Sequence, residues 1–165
     1  MELFLIRHAL ALPPEGAGEE ADDARPLSPK GVRRFRKAVK GLQALRVSLN
    51  LILTSPKRRA LETAEILSAL LEGDSRVTPH LALPPSPTLL EEIPREGRVA
   101  LVGHEPYLSE LLVWLLMGDF LGTSARGRLG ERFPLKKGGV AWLKGEPVPG
   151  RMFLKALFPP RVFRL

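Results

Sequence analysis

Leu3-Phe4-Leu5-Ile6-Arg7-His8, close to the start of a 165-residue chain, is a run of four apolar residues that ends on a cation and an imidazole. A short apolar run without polar alternation is expected of a strand covered on both faces, as in a parallel sheet. Two further stretches repeat the pattern: Leu49-Asn50-Leu51-Ile52-Leu53 leads into Thr54-Ser55-Pro56, and Val99-Ala100-Leu101-Val102 leads into Gly103-His104. In open α/β sheets ligands bind outside the carboxyl ends of strands, so the three endings are expected to converge on one site. Taken singly, His8 reads equally well as a hydrogen-bonded core residue and His104 as a helix-start residue. Two of the three histidines falling at strand ends favours a shared pocket.

Between the runs the apolar period becomes helical. Ser28-Pro29 offers an N-cap with proline in the first turn, followed by Val32, Phe35, Val39 and Leu42 at helical spacing. Ser55-Pro56 repeats that start signal ahead of Ala60, Ala64, Leu67 and Leu71, and a third helix is expected from Pro106 through Leu108, Leu111, Leu112 and Leu115. Strands alternating with helices imply right-handed crossovers and helices on both sides of the sheet. The expected fold is a three-layer α/β/α sandwich with a mostly parallel sheet, formed as a single domain over residues 1–165. Residues 140–143 and 152–158 read as further strands at an edge. Residues 13–24, rich in Pro, Gly and acid, read as a mobile loop, and residues 118–139 as a second loop.

Composition narrows the classes. At 44% hydrophobic the chain can bury roughly 70% of its unfolded surface without staples. With no cysteine and only His8, His80 and His104, disulfides, thiol nucleophiles and a structural zinc site are not expected. Arginine outnumbers lysine by 17 to 8, compatible with a heat-adapted protein. A net charge of +7 favours an anionic partner. The basic residues look scattered along the chain, and one Tyr with two Trp is poor material for stacking bases, so no nucleic acid partner is expected. The N-terminal run lacks the basic leading segment of a secretory leader, and residues 108–117 are too short to span a bilayer, which takes ~20 residues. No membrane partner is expected, and a cytoplasmic location is.

Arg58 and Arg59 fall in the first turn of a helix expected to begin at Pro56, where free backbone N–H groups and the helix dipole favour an anion. Guanidinium forks there would hold phosphate oxygens. Arg59 is read as the phosphate contact and Arg58 as a solvated charge.

Arg7-His8-Ala9 is similar to the Arg-His-Gly signature of the histidine phosphatase superfamily, whose members resemble phosphoglycerate mutase in fold. Ser55-Pro56-Lys57-Arg58-Arg59-Ala60-Leu61-Glu62-Thr63-Ala64 resembles the second family motif, and Val102-Gly103-His104-Glu105-Pro106 the third. Arg25-Pro26-Leu27-Ser28-Pro29-Lys30-Gly31 resembles a segment frequent in the short SixA-like branch. The resemblance spans about residues 3–143, with the motifs in family order. It implies that His8 is the nucleophile that takes up a phosphoryl group, with Arg7, Arg59, His104 and Ser55 around the phosphate. The implied mechanism needs no metal and no other cofactor: two arginines and His104 offset the charge of the transferring group. Arg7 and Arg59 should also hold the His8 pKa down, leaving a neutral ring for attack.

Two departures from the family bear on the substrate. Ala9 stands where the family has glycine, a small change. The stretch His80-Leu81-Ala82-Leu83-Pro84-Pro85 carries no carboxylate where many relatives place a proton donor; Glu91 and Glu92 follow, and read as surface charges. A missing acid matters least when the leaving group is imidazole, with a conjugate-acid pKa near ~6.5. The interval 72–98 also leaves little material for a lid. Both points favour hydrolysis of phosphohistidine on a protein. A phosphomonoesterase acting on a small sugar or nucleotide phosphate is the alternative, and a noncatalytic phosphate- or nucleic-acid-binding module a third. The oligomeric state is left open.

Overall fold

In the computed structural model, which describes residues 1–164, the three apolar runs are strands of one six-stranded sheet. The first half of the chain forms β1 (Glu2–Arg7), α1 (Glu19–Asp23), α2 (Pro29–Ala44), β2 (Leu49–Thr54), α3 (Arg58–Leu67) and β3 (Leu71–Val77). The second half forms α4 (Pro87–Glu91), β4 (Arg98–Gly103), α5 (Tyr107–Met117), α6 (Thr123–Gly130), β5 (Val140–Gly145) and β6 (Met152–Phe158). The strand order is β3-β2-β4-β1-β5-β6. β1 to β4 run parallel, β5 is antiparallel to β1, and β6 is antiparallel to β5.

Strand alternation explains the apolar runs. Leu3 and Leu5 enter one core with α5 and with Leu89 of α4, whereas Phe4 and Ile6 enter a second core with α2 and α3. Both faces of β1 are covered, so no position is left for a polar residue until the strand ends. The expected three-layer α/β/α sandwich is the one observed. Truncating Phe4, fully buried between sheet and helices, would cost about 3–5 kcal/mol.

Ser28 caps α2 as expected: its Oγ accepts from the Gly31 N–H at 2.9 Å, and Pro29 occupies the first turn. Gly31 is required by proximity, since a Cβ there would stand 2.1 Å from the Leu10 carbonyl oxygen. The start of α2 is thereby pressed against the backbone that follows His8. β5 is an interior strand between β1 and β6; of these last two strands β6 alone lies at an edge, and β3 forms the opposite one.

Several local expectations are corrected. α3 begins at Arg58 behind Lys57, with no side-chain cap; Ser55 Oγ instead accepts from the Lys57 N–H at 3.3 Å in the turn before the helix. Leu71 belongs to β3 and not to that helix. The segment 13–24 contains α1, and 118–139 contains α6, both too short or too weakly amphipathic to give a sequence period. β3 is exposed along nearly all its length, so no apolar pattern announces it; its pairing with β2 needs Gly73, where a Cβ would come 2.0 Å from the Asn50 carbonyl oxygen. Among the described residues no helix is long and apolar enough to cross a membrane.

Candidate active site

The sheet register assembles the site. Arg7 pairs with Gly103 across β1 and β4, and the His8 N–H continues that pairing by donating to the Gly103 carbonyl at 3.0 Å. The next residues, His8 and His104, therefore emerge side by side, with ring centroids 5.2 Å apart. β2 lies on the other side of β4, and its exit brings Ser55 and then the first turn of α3 to the same end of the sheet.

His8 is buried, and its Nδ1 lies 2.7 Å from the Ala9 carbonyl oxygen. A carbonyl only accepts, so the neutral ring carries its hydrogen on Nδ1 and keeps its lone pair on Nε2. Burial is the main cause pulling the His8 pKa down to about 4; the bond to Ala9 works the other way, and the charges of Arg59, Arg7 and Lys137 add to the lowering. The expected direction holds, but desolvation, not the arginines, is the larger cause.

His104 Nε2 lies 2.7 Å from Ser55 Oγ. Ser55 is fully buried, and among the described residues its hydroxyl hydrogen has no acceptor but Nε2; donated there, it leaves the His104 hydrogen on Nδ1. Burial, then the charges of His8, Arg59 and Lys57, lower the His104 pKa to about 3, against a raising influence of Asp22. Both histidines are neutral at pH 7.

Arg7 donates through Nη1 to the Leu135 carbonyl at 3.0 Å. Arg59, on the buried side of α3, donates through Nη1 to the Asp22 carbonyl at 2.8 Å and through Nη2 to Asp22 Oδ2 at 3.1 Å. Arg58, one residue earlier, points to solvent and pairs with Glu62 at 2.7 Å. Among the described residues of this site, three donor atoms are buried without a partner: Nε of Arg7, Nε of Arg59 and Nδ1 of His104. The charge of Arg59 acts on Arg7, His8 and His104 alike, and that of Arg7 on His8. An anion able to accept from all three would be stabilised there, because buried donors are normally satisfied.

Residues not assigned a part in the sequence reading hold this arrangement. Thr63, one helical turn after Arg59, accepts the Ala9 N–H at 3.0 Å and donates to the Arg59 carbonyl at 2.7 Å, tying the exit of β1 to α3. Asp22 belongs to α1, and also pairs with Arg25 at 3.2 Å and Lys57 at 3.7 Å. Burial favours its neutral form, but the hydrogen bond from Arg25 and the charge and hydrogen bond of Arg59 outweigh that and hold its carboxyl below the usual range. Glu105 accepts from the Ser109 N–H at 2.9 Å, from the Ser109 hydroxyl and from the Leu135 N–H at 3.3 Å, while its charge supports that of Arg7. Glu92 Oε1 is engaged by the Thr78 hydroxyl at 3.1 Å and lies 3.3 Å from His80 Nδ1, and Glu91 ends α4. The i, i+4 spacing of Arg59 and Thr63, and the adjacency of Glu105 to His104, were visible signals; Asp22 had none. Among the described residues, no group of three or more His, Asp or Glu side chains could hold a metal ion.

The profile of the histidine phosphatase superfamily (branch 1) matches residues 3–82. An uncharacterized protein of Picosynechococcus sp. is 34% identical over 151 residues, covering 87% of this chain and 85% of the relative. Among solved structures, the protein histidine phosphatase SixA complexed with tungstate aligns with a TM-score of 0.74 at 21% identity, covering 98% of this chain and 99% of that one. A phosphoserine phosphatase of Entamoeba histolytica in complex with 3-phosphoglyceric acid aligns with a TM-score of 0.67 at 15% identity, covering 94% and 95%. At these identities the two structures establish a common fold.

Proposed function

The chain belongs to the histidine phosphatase superfamily, and we propose that it hydrolyses phosphohistidine on a protein through a covalent phosphohistidine formed on its own His8. The observation that carries this reading is the set of buried, unpartnered donors on Arg7, Arg59 and His104 beside a neutral His8 whose Nε2 bears the lone pair. In the first step Nε2 attacks phosphorus, the bond from His8 to phosphorus forms, and the bond from phosphorus to the substrate imidazole breaks. The three donors offset charge on the equatorial oxygens. In the second step water attacks phosphorus, the bond from phosphorus to Nε2 breaks, and both water hydrogens leave with the released phosphate, restoring His8 neutral with its hydrogen on Nδ1. Ser55 contributes by fixing the His104 ring so that Nδ1–H is the donating atom.

The carboxylates around the site support an imidazole leaving group. Asp22 is held ionised by its arginines, Glu105 accepts from Ser109 and Leu135, and Glu92 is engaged by Thr78. Each of these carboxylates already serves donors of the protein itself, which favours a leaving group such as imidazole that needs no strong acid over an alkoxide. One observation favours a second reading, hydrolysis of a small phosphate ester: the same fold serves the Entamoeba phosphoserine phosphatase.

The test compares initial rates at matched enzyme concentration on a histidine-phosphorylated protein, phosphoserine, sugar phosphates and an aryl phosphate. The proposal expects the highest kcat/KM on the phosphohistidine protein. A preference for a sugar or nucleotide phosphate with slow turnover of phosphohistidine would replace it with the second reading.

A further inference from the structure

Beside the His8 site lies a cleft of about 560 Å³ between α2, residues 136–138 and residues 159–164. Its charged lining consists of Arg7, Arg34, Lys136, Lys137, Arg161 and Arg164, with no acid among them. None of these six makes an ion pair among the described residues. The cleft is continuous with the site, since Arg7 and Ala9 line it and the charge of Lys137 reaches His8. α2 itself carries six Lys and Arg and no acid. Six of the 25 basic residues, which look scattered in the sequence, thus meet around one cleft, where their mutual repulsion favours an anionic partner.

The extent of this charge says what kind of anion fits. Besides Arg7, five cations from three segments of the chain line this one cleft, more than a single phosphate or a small ester can pair with. Stacking of bases needs an exposed aromatic face, and the single aromatic lining residue, Phe35, is 1% exposed. Several carboxylates on one polypeptide match both the number of cations and the absence of aromatic platforms.

Resting on the phosphatase reading of His8, we propose that this cleft docks an acidic stretch of the phosphoprotein substrate, with Arg34, Lys136, Arg161 and Arg164 meeting Asp and Glu side chains near the phosphorylated residue. Docking of this kind selects the partner and speeds its encounter, while the chemistry stays at His8.

Fluorescence anisotropy of the full chain tests this with a labelled, unphosphorylated Glu-rich peptide, its Gln counterpart, and a single-stranded deoxyoligonucleotide of equal charge. The wild type should bind the acidic peptide about tenfold more tightly than the Gln peptide, with the preference fading as salt rises. Arg34→Glu/Arg161→Glu/Arg164→Glu should abolish the preference; if that reversal impairs folding, Arg34→Gln/Arg161→Gln should still lower it about threefold. Equal binding of the two peptides overturns the docking site, and tighter binding of the oligonucleotide overturns it in favour of nucleic acid. Phosphate release from a histidine-phosphorylated form of the acidic peptide is followed in parallel. Release without preference leaves the phosphatase reading standing and removes the docking site. Preference without release supports the docking site and removes the phosphatase reading.

Discussion

His8 and His104 stand with ring centroids 5.2 Å apart and planes inclined by 50°, a consequence of the Arg7 to Gly103 register between β1 and β4. Two imidazoles at this distance oppose each other's protonation, and both are buried beside Arg59. A neutral imidazole with an open lone pair and a neutral hydrogen-bond donor can thus share one pocket at pH 7. The fold supplies the pair from residues that are 96 positions apart in sequence by letting adjacent parallel strands end together.

His8→Ala should abolish turnover and end labelling by a phosphorylated substrate, because no other free imidazole nitrogen is presented at the same place. The phosphoenzyme trapped from the wild type should be acid-labile and base-stable. A base-labile, acid-stable adduct would identify an acyl phosphate and make a carboxylate the nucleophile.

Arg59→Ala should lower kcat/KM by about 10²–10³-fold, the loss expected on removing one charge-stabilising donor. Arg58→Ala should stay within about twofold, since Arg58 is exposed and ion pairs of exposed side chains contribute little. Steady-state kinetics on an aryl phosphate compare the two; equal losses would put the phosphate pocket elsewhere.

How much of this was legible in the sequence depended on whether a residue's position follows from local pattern. β1, β2 and β4 announced themselves because burial on both faces leaves no room for polar residues, and their ends located His8, Ser55 and His104. β3 carried no such signal: an exposed edge strand is specified by its partner and by Gly73, not by its own side chains. Arg59 could be placed on the first turn of a helix, but its hold on Asp22 joins residues 37 apart through a five-residue helix with no apolar period. Ser55 was read as the start of that helix and as a phosphate contact; tertiary packing turns its hydroxyl onto His104, a role that spacing does not encode.

Thr63→Val should destabilise the fold by about 1–3 kcal/mol, because it leaves the buried Ala9 N–H without an acceptor. Thr63→Ser keeps the hydroxyl and should recover most of that stability. Activity should fall in the valine variant with a larger change in kcat than in KM, since the exit of β1 would shift against Arg59. Urea midpoints and kinetics for both variants check this; a valine variant as stable as the serine one would show that the bridge is dispensable.

Acidification should destabilise the protein through the same two imidazoles. The His8 pKa is lowered by folding from 6.5 to about 4, so below pH 6.5 the unfolded chain takes up a proton that the native ring refuses. The stability that depends on neutral His8 is therefore complete above pH 6.5 and is lost as the pH falls toward 4, a loss of about 3 kcal/mol for a shift of this size. His104, lowered to about 3, extends the loss to lower pH. Urea unfolding of the wild type and His8→Asn between pH 4 and 7 separates this contribution from that of the carboxylates, which both proteins share. The wild type should lose more stability than His8→Asn over that interval, and ¹⁵N chemical shifts should show His8 neutral at pH 5.5. Parallel stability curves, or a protonated His8 at pH 5.5, would mean that burial does not hold the nucleophile in its neutral form.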